Sequence, residues 1–231
     1  MGVQRTIGGA GRGAPAVYEA SDPDVALPPG ARSANVVWQG SGLTRVTRWQ
    51  ALRHRGATVW MTGLPSSGKS TLAAAVEWRL VSEGQPAYRL DGDNLRHGLN
   101  GDLGFSRDAR AENVRRTAHV ARLMADSGAV VIVSLVSPYT VDRELARSVH
   151  AEDGLDFLEV YVNTPVVECE RRDPKGLYGA ARRGEIKGFT GVDDPYEPPD
   201  APDLECRPSG VEEQVEQIIE ALRERGVLPL L

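Results

Sequence analysis

The chain has 231 residues, of which 41% are hydrophobic and 26% charged, a composition typical of a globular protein. With 27 basic and 32 acidic residues its formal charge is −5, which argues against a protein that mainly binds a nucleic-acid backbone. Two cysteines are too few for a disulfide framework, no apolar run reaches the roughly 20 residues of a membrane-spanning helix, and the N-terminus lacks the apolar core of an export signal. We therefore expect a cytoplasmic protein with no membrane or nucleic-acid partner.

The N-terminal part differs in composition from the rest. Residues 1–34 are rich in glycine and proline and have no sustained hydrophobic period, which predicts a flexible tail. The more apolar residues 35–38 are expected to pack on a single domain that spans 35–231. Residues 44–54 are predicted to form a short polar helix.

From residue 57 onward, short apolar runs alternate with helical patterns. Strands are predicted at 58–61, 87–90, 129–136 and 157–162, and helices at 70–83, 112–127, from 141, at 166–172 and at 211–225. Ser209 and Glu212 have the spacing of a capping box at the last helix. The alternation predicts an α/β fold of the P-loop type, a parallel sheet with helices on both faces, in which 129–136 is the central strand. Residues 174–202 form a long stretch rich in glycine and proline, which we interpret as a functional loop or lid.

The first chemical motif is GLPSSGKS at residues 63–70, which fits GxxxxGK[ST] between a predicted strand and a predicted helix. Its glycines allow backbone N–H groups to surround phosphate oxygens, and the helix adds its positive N-terminal end. Lys69 would reach the β- and γ-phosphates, and the Ser70 hydroxyl can ligate Mg²⁺. The motif predicts a nucleoside triphosphate site formed by Gly63, Ser66, Ser67, Gly68, Lys69, Ser70 and Thr71.

The second motif is DGDNLRHGLN at residues 91–100, after the second predicted strand. In open α/β sheets ligands bind at this end of the strands. Asp91 and Asp93 could hold hydrated Mg²⁺ there or accept a hydroxyl proton during phosphoryl transfer. The alternative is a polar turn in which Asp91 caps a helix. The strand at 129–136 lacks the terminal aspartate that usually binds the metal in P-loop proteins. Asp91 is the natural replacement for that metal ligand.

Arginines with an aromatic neighbour follow this motif. Guanidinium groups suit phosphate or sulfate, and an aromatic ring suits a base. Alone they would indicate an ordinary charged helix face, but beside a P-loop they indicate a pocket for an anionic acceptor. The residues are Arg96, Phe105, Arg107, Arg110, Asn113, Arg115 and Arg116.

Residues 35–199, taken together, resemble the adenylyl-sulfate kinase family. The matching segments are 35–38, 63–71, 91–100, 102–106, 112–116, 137–139, 169–178 and 188–197. The resemblance implies transfer of the γ-phosphoryl of ATP to the 3′-hydroxyl of adenosine 5′-phosphosulfate, with Mg²⁺ as cofactor and ATP as co-substrate. It further implies a homodimer and functional coupling to a sulfate adenylyltransferase.

The resemblance also implies which residues bind the acceptor. Arg96, Arg110 and Asn113 would hold its phosphosulfate and ribose. Phe105 and Phe189 would enclose its adenine.

For the chemical step, the resemblance implies that Asp93 orients the acceptor and that Asp91 serves the metal or the 3′-hydroxyl proton. Lys175 would belong to the lid. Ser137 matches a position that is a phosphoserine intermediate in some family members. The alternative interpretation of Ser137 is a serine at a strand end whose backbone contacts substrate.

Three places depart from the family's pattern. Thr140 stands where arginine is usual, Gly101 where lysine is common, and Gly179–Ala180 where a lysine pair is common. The lost positive charges leave open a related P-loop kinase that acts on another small hydroxyl acceptor. A nucleotide-binding regulatory partner of a sulfate-activating complex is a further alternative, against which the intact P-loop and aspartates argue.

Overall fold

The computed structural model describes residues 42–229, so the predicted tail at 1–34 and the segment 35–38 lie outside the described part. Within residues 42–229, five strands and eight helices follow one another. The strands are β1 (Ala57–Thr62), β2 (Ala87–Asp91), β3 (Val130–Ser134), β4 (Asp156–Val162) and β5 (Leu204–Cys206). The helices are α1 (Arg45–Leu52), α2 (Lys69–Ser82), α3 (Gly92–Leu95), α4 (Arg107–Ser127), α5 (Thr140–Ala151), α6 (Val166–Arg172), α7 (Leu177–Arg182) and α8 (Val211–Glu224).

The strands form one parallel sheet in the order β2–β3–β1–β4–β5. Ala57 at the start of β1 is paired with Val130 of β3 on one side and Asp156 of β4 on the other. Every residue of β1 and β3 is buried, as expected for parallel strands covered on both faces. The predicted fold class is confirmed. The middle strand is β1, however, and β3 lies beside it.

Two apolar cores lie on opposite faces of the sheet because successive side chains of a strand alternate in direction. Val59 and Met61 of β1 pack in one core with α2 and α8. Trp60 packs in the other, with α4 and α5. One face of α4 is apolar and packs in this core, because its buried residues include Val114, Ala118, Ala121 and Ala125.

Helix α4 begins at Arg107, five residues before the predicted start. The Ser106 hydroxyl accepts a hydrogen bond from the Ala109 N–H at 3.3 Å and so caps the helix. The first turn of α4 has no buried apolar residue, so the hydrophobic period does not show it.

At α8 the predicted capping box is wrong. The N-cap residue is Gly210, and no side chain caps the helix. The predicted start at Val211 is nevertheless confirmed, since the buried face with Val215, Ile218 and Leu222 determines where the helix packs.

The 174–202 segment contains more regular structure than predicted. Helix α7 follows Gly176, whose φ of 68° suits glycine, and the Asp173 carboxylate accepts a hydrogen bond from the Gly179 N–H at 3.1 Å. The rings of Tyr178 and Phe189 meet edge to face with centroids 5.0 Å apart. The segment thus has a small core of its own.

The state of the two cysteines and the character of the helices can be read from residues 42–229. Cys169 and Cys206 are both buried and free, in agreement with the absence of a disulfide framework. Among residues 42–229, the helices are all too short or too polar to cross a membrane.

Candidate active site

The loop between β1 and α2 carries the predicted phosphate-binding motif. Gly63 has a φ of 150°, and a Cβ there would lie 2.6 Å from the carbonyl oxygen of Val162. Gly68 has a φ of 107° and is the N-cap residue of α2. The Ser67 carbonyl accepts hydrogen bonds from the Thr164 hydroxyl at 2.8 Å and from the Arg172 guanidinium at 3.2 Å. The loop conformation is therefore fixed by its glycines and by contacts from β4 onward.

Lys69 is buried within this loop. Its ammonium group donates to the carbonyls of Gly63 at 2.9 Å and Leu64 at 2.7 Å. Burial lowers the pKa of Lys69 to about 8, and the negative charges of nearby groups, Asp91 among them, oppose this shift. Neutral carbonyls compensate a buried cation less well than an anion does, so phosphate oxygens would be better partners for this group.

Asp91 ends β2 and uses its two carboxylate oxygens differently. Oδ1 accepts a hydrogen bond from the Asp93 N–H at 3.1 Å, so Asp91 caps α3, as the alternative interpretation proposed. Oδ2 is buried without a hydrogen-bond partner, and the Arg89 guanidinium lies 3.8 Å away. A buried carboxylate oxygen without a partner is available for a ligand.

Ser70 lies across from Ser134, with their hydroxyl oxygens 3.3 Å apart. Ser134 ends β3, the strand that has no terminal aspartate. Among residues 42–229, no group of three or more His, Cys, Asp or Glu side chains could hold a metal ion by itself. Ser70 and Asp91 could hold Mg²⁺ only together with ligands from a nucleotide, which is how Mg²⁺ is commonly bound.

A cavity of about 730 Å³ opens at the carboxyl ends of β2 and β3. It extends from the phosphate-binding loop to the 174–202 segment. The predicted site residues that line it are Ser66, Gly68, Lys69, Ser70, Thr71, Asp91, Asp93, Phe105, Arg110, Lys175 and Phe189. The structure therefore brings the predicted donor and acceptor residues to one space.

Of the residues predicted to bind the nucleotides or to take part in the chemical step, five do not line the cavity. Gly63 and Ser67 are buried in the phosphate-binding loop, where Gly63 lies close to Val162 and the Ser67 carbonyl is bonded by Thr164 and Arg172. Ser137 is buried, and its hydroxyl oxygen accepts a hydrogen bond from the indole N–H of Trp60 at 3.2 Å. Asn113 is also buried, and its side-chain carbonyl accepts from the Asn100 amide at 2.9 Å. The fifth, Arg96, donates to the Leu103 carbonyl at 2.8 Å.

The predicted arginines separate into two groups. Arg96 and Arg110 lie over the Phe105 ring at 4.2 and 5.7 Å from its centroid, beside the cavity. Arg115 and Arg116 both pair with Glu112 and do not line the cavity. For these two, the ordinary charged helix face is the correct description.

Arg107 does not line the cavity either. Its guanidinium group lies 4.2 Å from the centroid of the Tyr139 ring. The Tyr139 hydroxyl donates to Asp194 at 3.0 Å. Arg107 therefore lies outside the cavity and is connected to Asp194 through Tyr139.

The 174–202 segment contacts the rest of the site from two sides. Lys175 forms an ion pair with Asp93. Arg110 donates to the Gly188 carbonyl at 2.7 Å and lies 3.8 Å from Asp194. The Asp193 carboxylate accepts from the backbone N–H of Phe189 at 2.7 Å, which fixes that aromatic residue at the cavity.

The sequence did not single out several residues that line the cavity or contact its lining residues. Asp193 and Asp194 lie within the matching segment 188–197, so that motif was the available signal. Arg172 also lies in a matching segment, 169–178. Ser134 has no such signal, because nothing local distinguishes it from other serines at strand ends.

A parallel sheet in this order, with a P-loop after β1 and a cavity shared with Asp91, defines the P-loop nucleotide-binding fold. Residues 55–207 match the profile of the family described as adenylylsulphate kinase. The chain belongs to that family.

Individual relatives agree with this assignment. The chain is 57% identical over 169 residues to the bifunctional enzyme CysN/CysC of Mycobacterium tuberculosis, a match that covers 73% of this chain and 28% of that protein. It is 48% identical over 199 residues to the adenylyl-sulfate kinase of Clostridium acetobutylicum, covering 85% of this chain and 98% of the relative. The chain thus spans less than a third of the bifunctional relative and nearly all of the other.

A solved structure is similar in fold as well. It is the Mycobacterium tuberculosis APS kinase CysC in complex with AMPPNP and APS, at a TM-score of 0.72 and 56% identity. The match covers 74% of this chain and 99% of that one.

Proposed function

We propose that the chain transfers the γ-phosphoryl group of ATP to the 3′-hydroxyl of adenosine 5′-phosphosulfate and so forms 3′-phosphoadenosine 5′-phosphosulfate, the activated form of sulfate. The observation that carries the proposal is that Lys69, Asp91, Asp93, Arg110 and Phe105 line one cavity together. A phosphate-binding lysine, two carboxylates and an arginine beside an aromatic ring match a triphosphate donor facing an anionic nucleotide acceptor. The related structure that holds AMPPNP and APS supports this assignment.

In the donor half, the loop N–H groups and the N-terminus of α2 would bind the phosphates of ATP. Lys69 would exchange the carbonyls of Gly63 and Leu64 for β- and γ-phosphate oxygens. Its ammonium is already at the loop and already desolvated, so little rearrangement is needed. The loop would therefore stabilise the charge that develops during transfer.

In the acceptor half, Phe105 and Phe189 would enclose the adenine, and Arg110 would bind the phosphosulfate. Arg96 and Asn113, which do not line the cavity, would have to turn toward the acceptor to bind its phosphosulfate and ribose. Phe105 is 62% exposed whereas Phe189 is 9% exposed. An exposed aromatic ring at a cavity is expected where a planar ligand covers it. Arg110 already lies between the Phe105 carbonyl at 3.0 Å and the Gly188 carbonyl at 2.7 Å.

Ser70 and Asp91 would hold Mg²⁺, and the unpartnered Oδ2 of Asp91 fits that assignment. When bound with ATP, Mg²⁺ neutralises charge on the phosphates. On the protein side, Asp93 would orient the acceptor. The alternative role of the same Asp91 oxygen, in place of the metal, is to accept the proton of the 3′-hydroxyl.

We favour direct in-line transfer over a phosphoserine intermediate. A serine nucleophile needs an exposed hydroxyl and an activating base. The Ser137 hydroxyl is buried, does not line the cavity and accepts the Trp60 N–H. We expect the backbone of the Ser137 segment, rather than the Ser137 hydroxyl, to contact the substrate.

Residues 174–202 would act as a lid over both nucleotides. Lys175 would leave Asp93 and bind phosphate as the substrates enter. Closure would exclude water from the transferring phosphoryl group.

The proposal is tested by measuring ADP release from ATP with and without adenosine 5′-phosphosulfate. Strong stimulation by this acceptor is expected. Preference for another hydroxyl acceptor in a panel would instead favour the redirected kinase that Thr140, Gly101 and Gly179 left open. ATP binding without turnover of any acceptor would favour the regulatory partner.

We also propose a homodimer in the cytoplasm and functional coupling to a sulfate adenylyltransferase. Two relatives are named bifunctional enzymes, CysN/CysC and NodQ, and this chain covers 28% and 30% of them. A related APS kinase from Thiobacillus denitrificans is described as hexameric, which is a different assembly from the dimer proposed here. Light scattering on the purified chain tests the dimer, and co-purification with the adenylyltransferase tests the coupling.

A further inference from the structure

The segment 135–139, which connects β3 to α5, has an unusual backbone. Ser137 has a φ of 37°, in the left-handed region that residues other than glycine rarely adopt. Two residues just before it, Leu135 and Val136, line the cavity. Such a conformation persists only where the surrounding structure holds it, and it is often found at functional sites.

A buried arginine on α5 holds this turn. The Arg143 side chain is 2% exposed, and its Nη1 donates to the Ser137 carbonyl at 2.8 Å. Its Nε donates to Glu159 on β4 at 2.8 Å. A third donor, Nη2, reaches the Thr140 hydroxyl at 3.2 Å.

Strand β1 supports the same turn from the other side. The Thr62 hydroxyl donates to the Val136 carbonyl at 2.8 Å, and Trp60 donates to the Ser137 hydroxyl at 3.2 Å. Side chains from β1 and α5, with Glu159 of β4 as counterion, therefore converge on residues 136 and 137.

The geometry of the contacts requires an arginine. The guanidinium group is planar and can donate in several fixed directions, toward Glu159 and toward the Ser137 carbonyl at the same time. A lysine could keep the charge near Glu159, but its single ammonium group cannot reproduce both bonds in this arrangement.

The turn at residues 135–137 packs against the acidic end of β2. A Cβ added at Gly92 would lie 2.7 Å from Cδ2 of Leu135, so Gly92 and Leu135 are in close contact. Gly92 is flanked by Asp91 and Asp93. The phosphate-binding loop, by contrast, is held by Thr164 and Arg172, without a contact from Arg143.

We propose that Arg143 is a positioning residue for the acceptor half of the site. Through the Ser137 carbonyl it fixes the turn at 135–137, and through Leu135 that turn fixes Asp91 and Asp93 relative to the acceptor. Arg143 touches neither substrate. The inference rests on the proposed function, since it concerns binding of the acceptor nucleotide.

Arg147 provides a matched control on the same helix. It also pairs with Glu159, at 3.2 Å, and with Asp203 at 2.7 Å, but it has no bond to Ser137. Arg143→Lys and Arg147→Lys keep the charge and each loses part of a contact with Glu159. A purely structural role of the buried Arg143 predicts that Arg143→Lys lowers the melting temperature without a selective rise in the KM for the acceptor.

The test measures steady-state kinetics for both substrates, AMPPNP affinity and melting temperature in the wild type and the two variants. For Arg143→Lys we expect the KM for adenosine 5′-phosphosulfate to rise about tenfold and kcat to fall several-fold, with AMPPNP affinity unchanged; tenfold corresponds to the loss of one charge-assisted hydrogen bond. Arg147→Lys should keep the KM for the acceptor, kcat and AMPPNP affinity within about twofold, as expected for an exposed ion pair.

If Arg143→Lys fails to fold, Thr62→Val removes the bond to the Val136 carbonyl without touching the ion pair. It should raise the KM for the acceptor several-fold, and Tyr196→Phe controls for the hydroxyl contact that Thr62 also makes at 3.0 Å. Unchanged acceptor kinetics in a folded Arg143→Lys, or an equal effect of Arg147→Lys, would overturn the inference. A wild type that does not turn over this acceptor would overturn the proposed function itself.

Discussion

The two halves of the cavity are constructed in different ways. The donor half is one contiguous loop, residues 63–70, whose shape comes from glycine backbone geometry and which presents the N-terminus of α2. The acceptor half gathers side chains from β2, α4 and the 174–202 segment, which are distant in sequence. A site made of backbone depends on few residues, whereas a site made of side chains depends on everything that positions them. We therefore expect changes on the two sides to have different kinetic signatures.

The largest expected effect is at Asp91, where the two halves meet. Asp91→Asn keeps the shape of the side chain but removes the charge that would hold the metal or accept the proton. We expect turnover to be nearly abolished. Ser137→Ala is the matched comparison, and it should keep a substantial part of the activity.

Labelling of the wild type decides the chemical route. With γ-labelled ATP supplied alone, the wild type should show no acid-stable label on the protein. Stoichiometric label on Ser137 that passes into product at the turnover rate would establish the covalent route instead.

The next largest effect is expected at Lys69, in the donor half. Lys69→Ala removes the cation beside the γ-phosphate, and kcat/KM should fall roughly 10²-fold or more, as for loss of one preorganised charge-stabilising donor. Lys187→Ala, an exposed lysine outside the cavity, is the control and should have little effect. Full activity of Lys69→Ala would show that the donor site is assigned to the wrong residues.

The acceptor half is tested separately at Arg110. Arg110→Ala should raise the KM for adenosine 5′-phosphosulfate roughly tenfold or more while ATP affinity stays almost intact, because the lost anion contact serves one substrate only. Arg115→Ala, on the same helix but away from the cavity, is the matched control. An equal loss of ATP affinity in Arg110→Ala would show that the two halves are not separable.

A smaller effect is expected from acid, through the buried His150 of α5. His150 is fully buried, its Nδ1 donates to the Ala146 carbonyl at 2.8 Å, and its Nε2 faces the Thr58 hydroxyl at 2.8 Å. Burial lowers its pKa from 6.5 to about 4. Below pH 6.5 the unfolded chain therefore binds a proton that the folded protein does not, so stability falls with pH until about pH 4.

We expect this residue to contribute a loss on the order of 2–3 kcal/mol across that range. Urea unfolding between pH 7.5 and pH 4.5 measures it. In His150→Gln the free energy of unfolding should depend less steeply on pH. An identical slope in wild type and variant would show that other groups cause the acid sensitivity.

The smallest effect is predicted for residues 1–34. Deleting them should leave the melting temperature and both KM values nearly unchanged, because their composition cannot support a core. A drop of several degrees would show that they pack on the domain, and a change in one KM alone would show which half they serve.

The difference between the halves also explains what the sequence could predict. The donor loop is encoded in eight consecutive residues, and the strands in short apolar runs, so both could be identified before the structure. Helix α7 and strand β5 could not, because one has six residues and the other three, too few to show a period. The start of α4 depends on a Ser106 cap without an apolar face.

In the acceptor half, residue types could be predicted but not their arrangement. Nothing local indicates that Arg110 and Arg96 face Phe105 while Arg115 and Arg116 pair with Glu112. The contact of Arg143 with both Ser137 and Glu159 joins three elements that only the fold brings together. Such contacts have no sequence period and become visible only in three dimensions.

The two glycines of the donor loop differ in how they would tolerate variation. At Gly68 an added Cβ would meet only the Arg172 guanidinium at 3.6 Å, so a substitution there would be strained but would have room. At Gly63 it would lie 2.6 Å from the Val162 carbonyl oxygen, which belongs to a rigid strand. Among natural or selected variants of this chain, rare replacements should therefore survive at position 68, whereas position 63 should admit glycine alone.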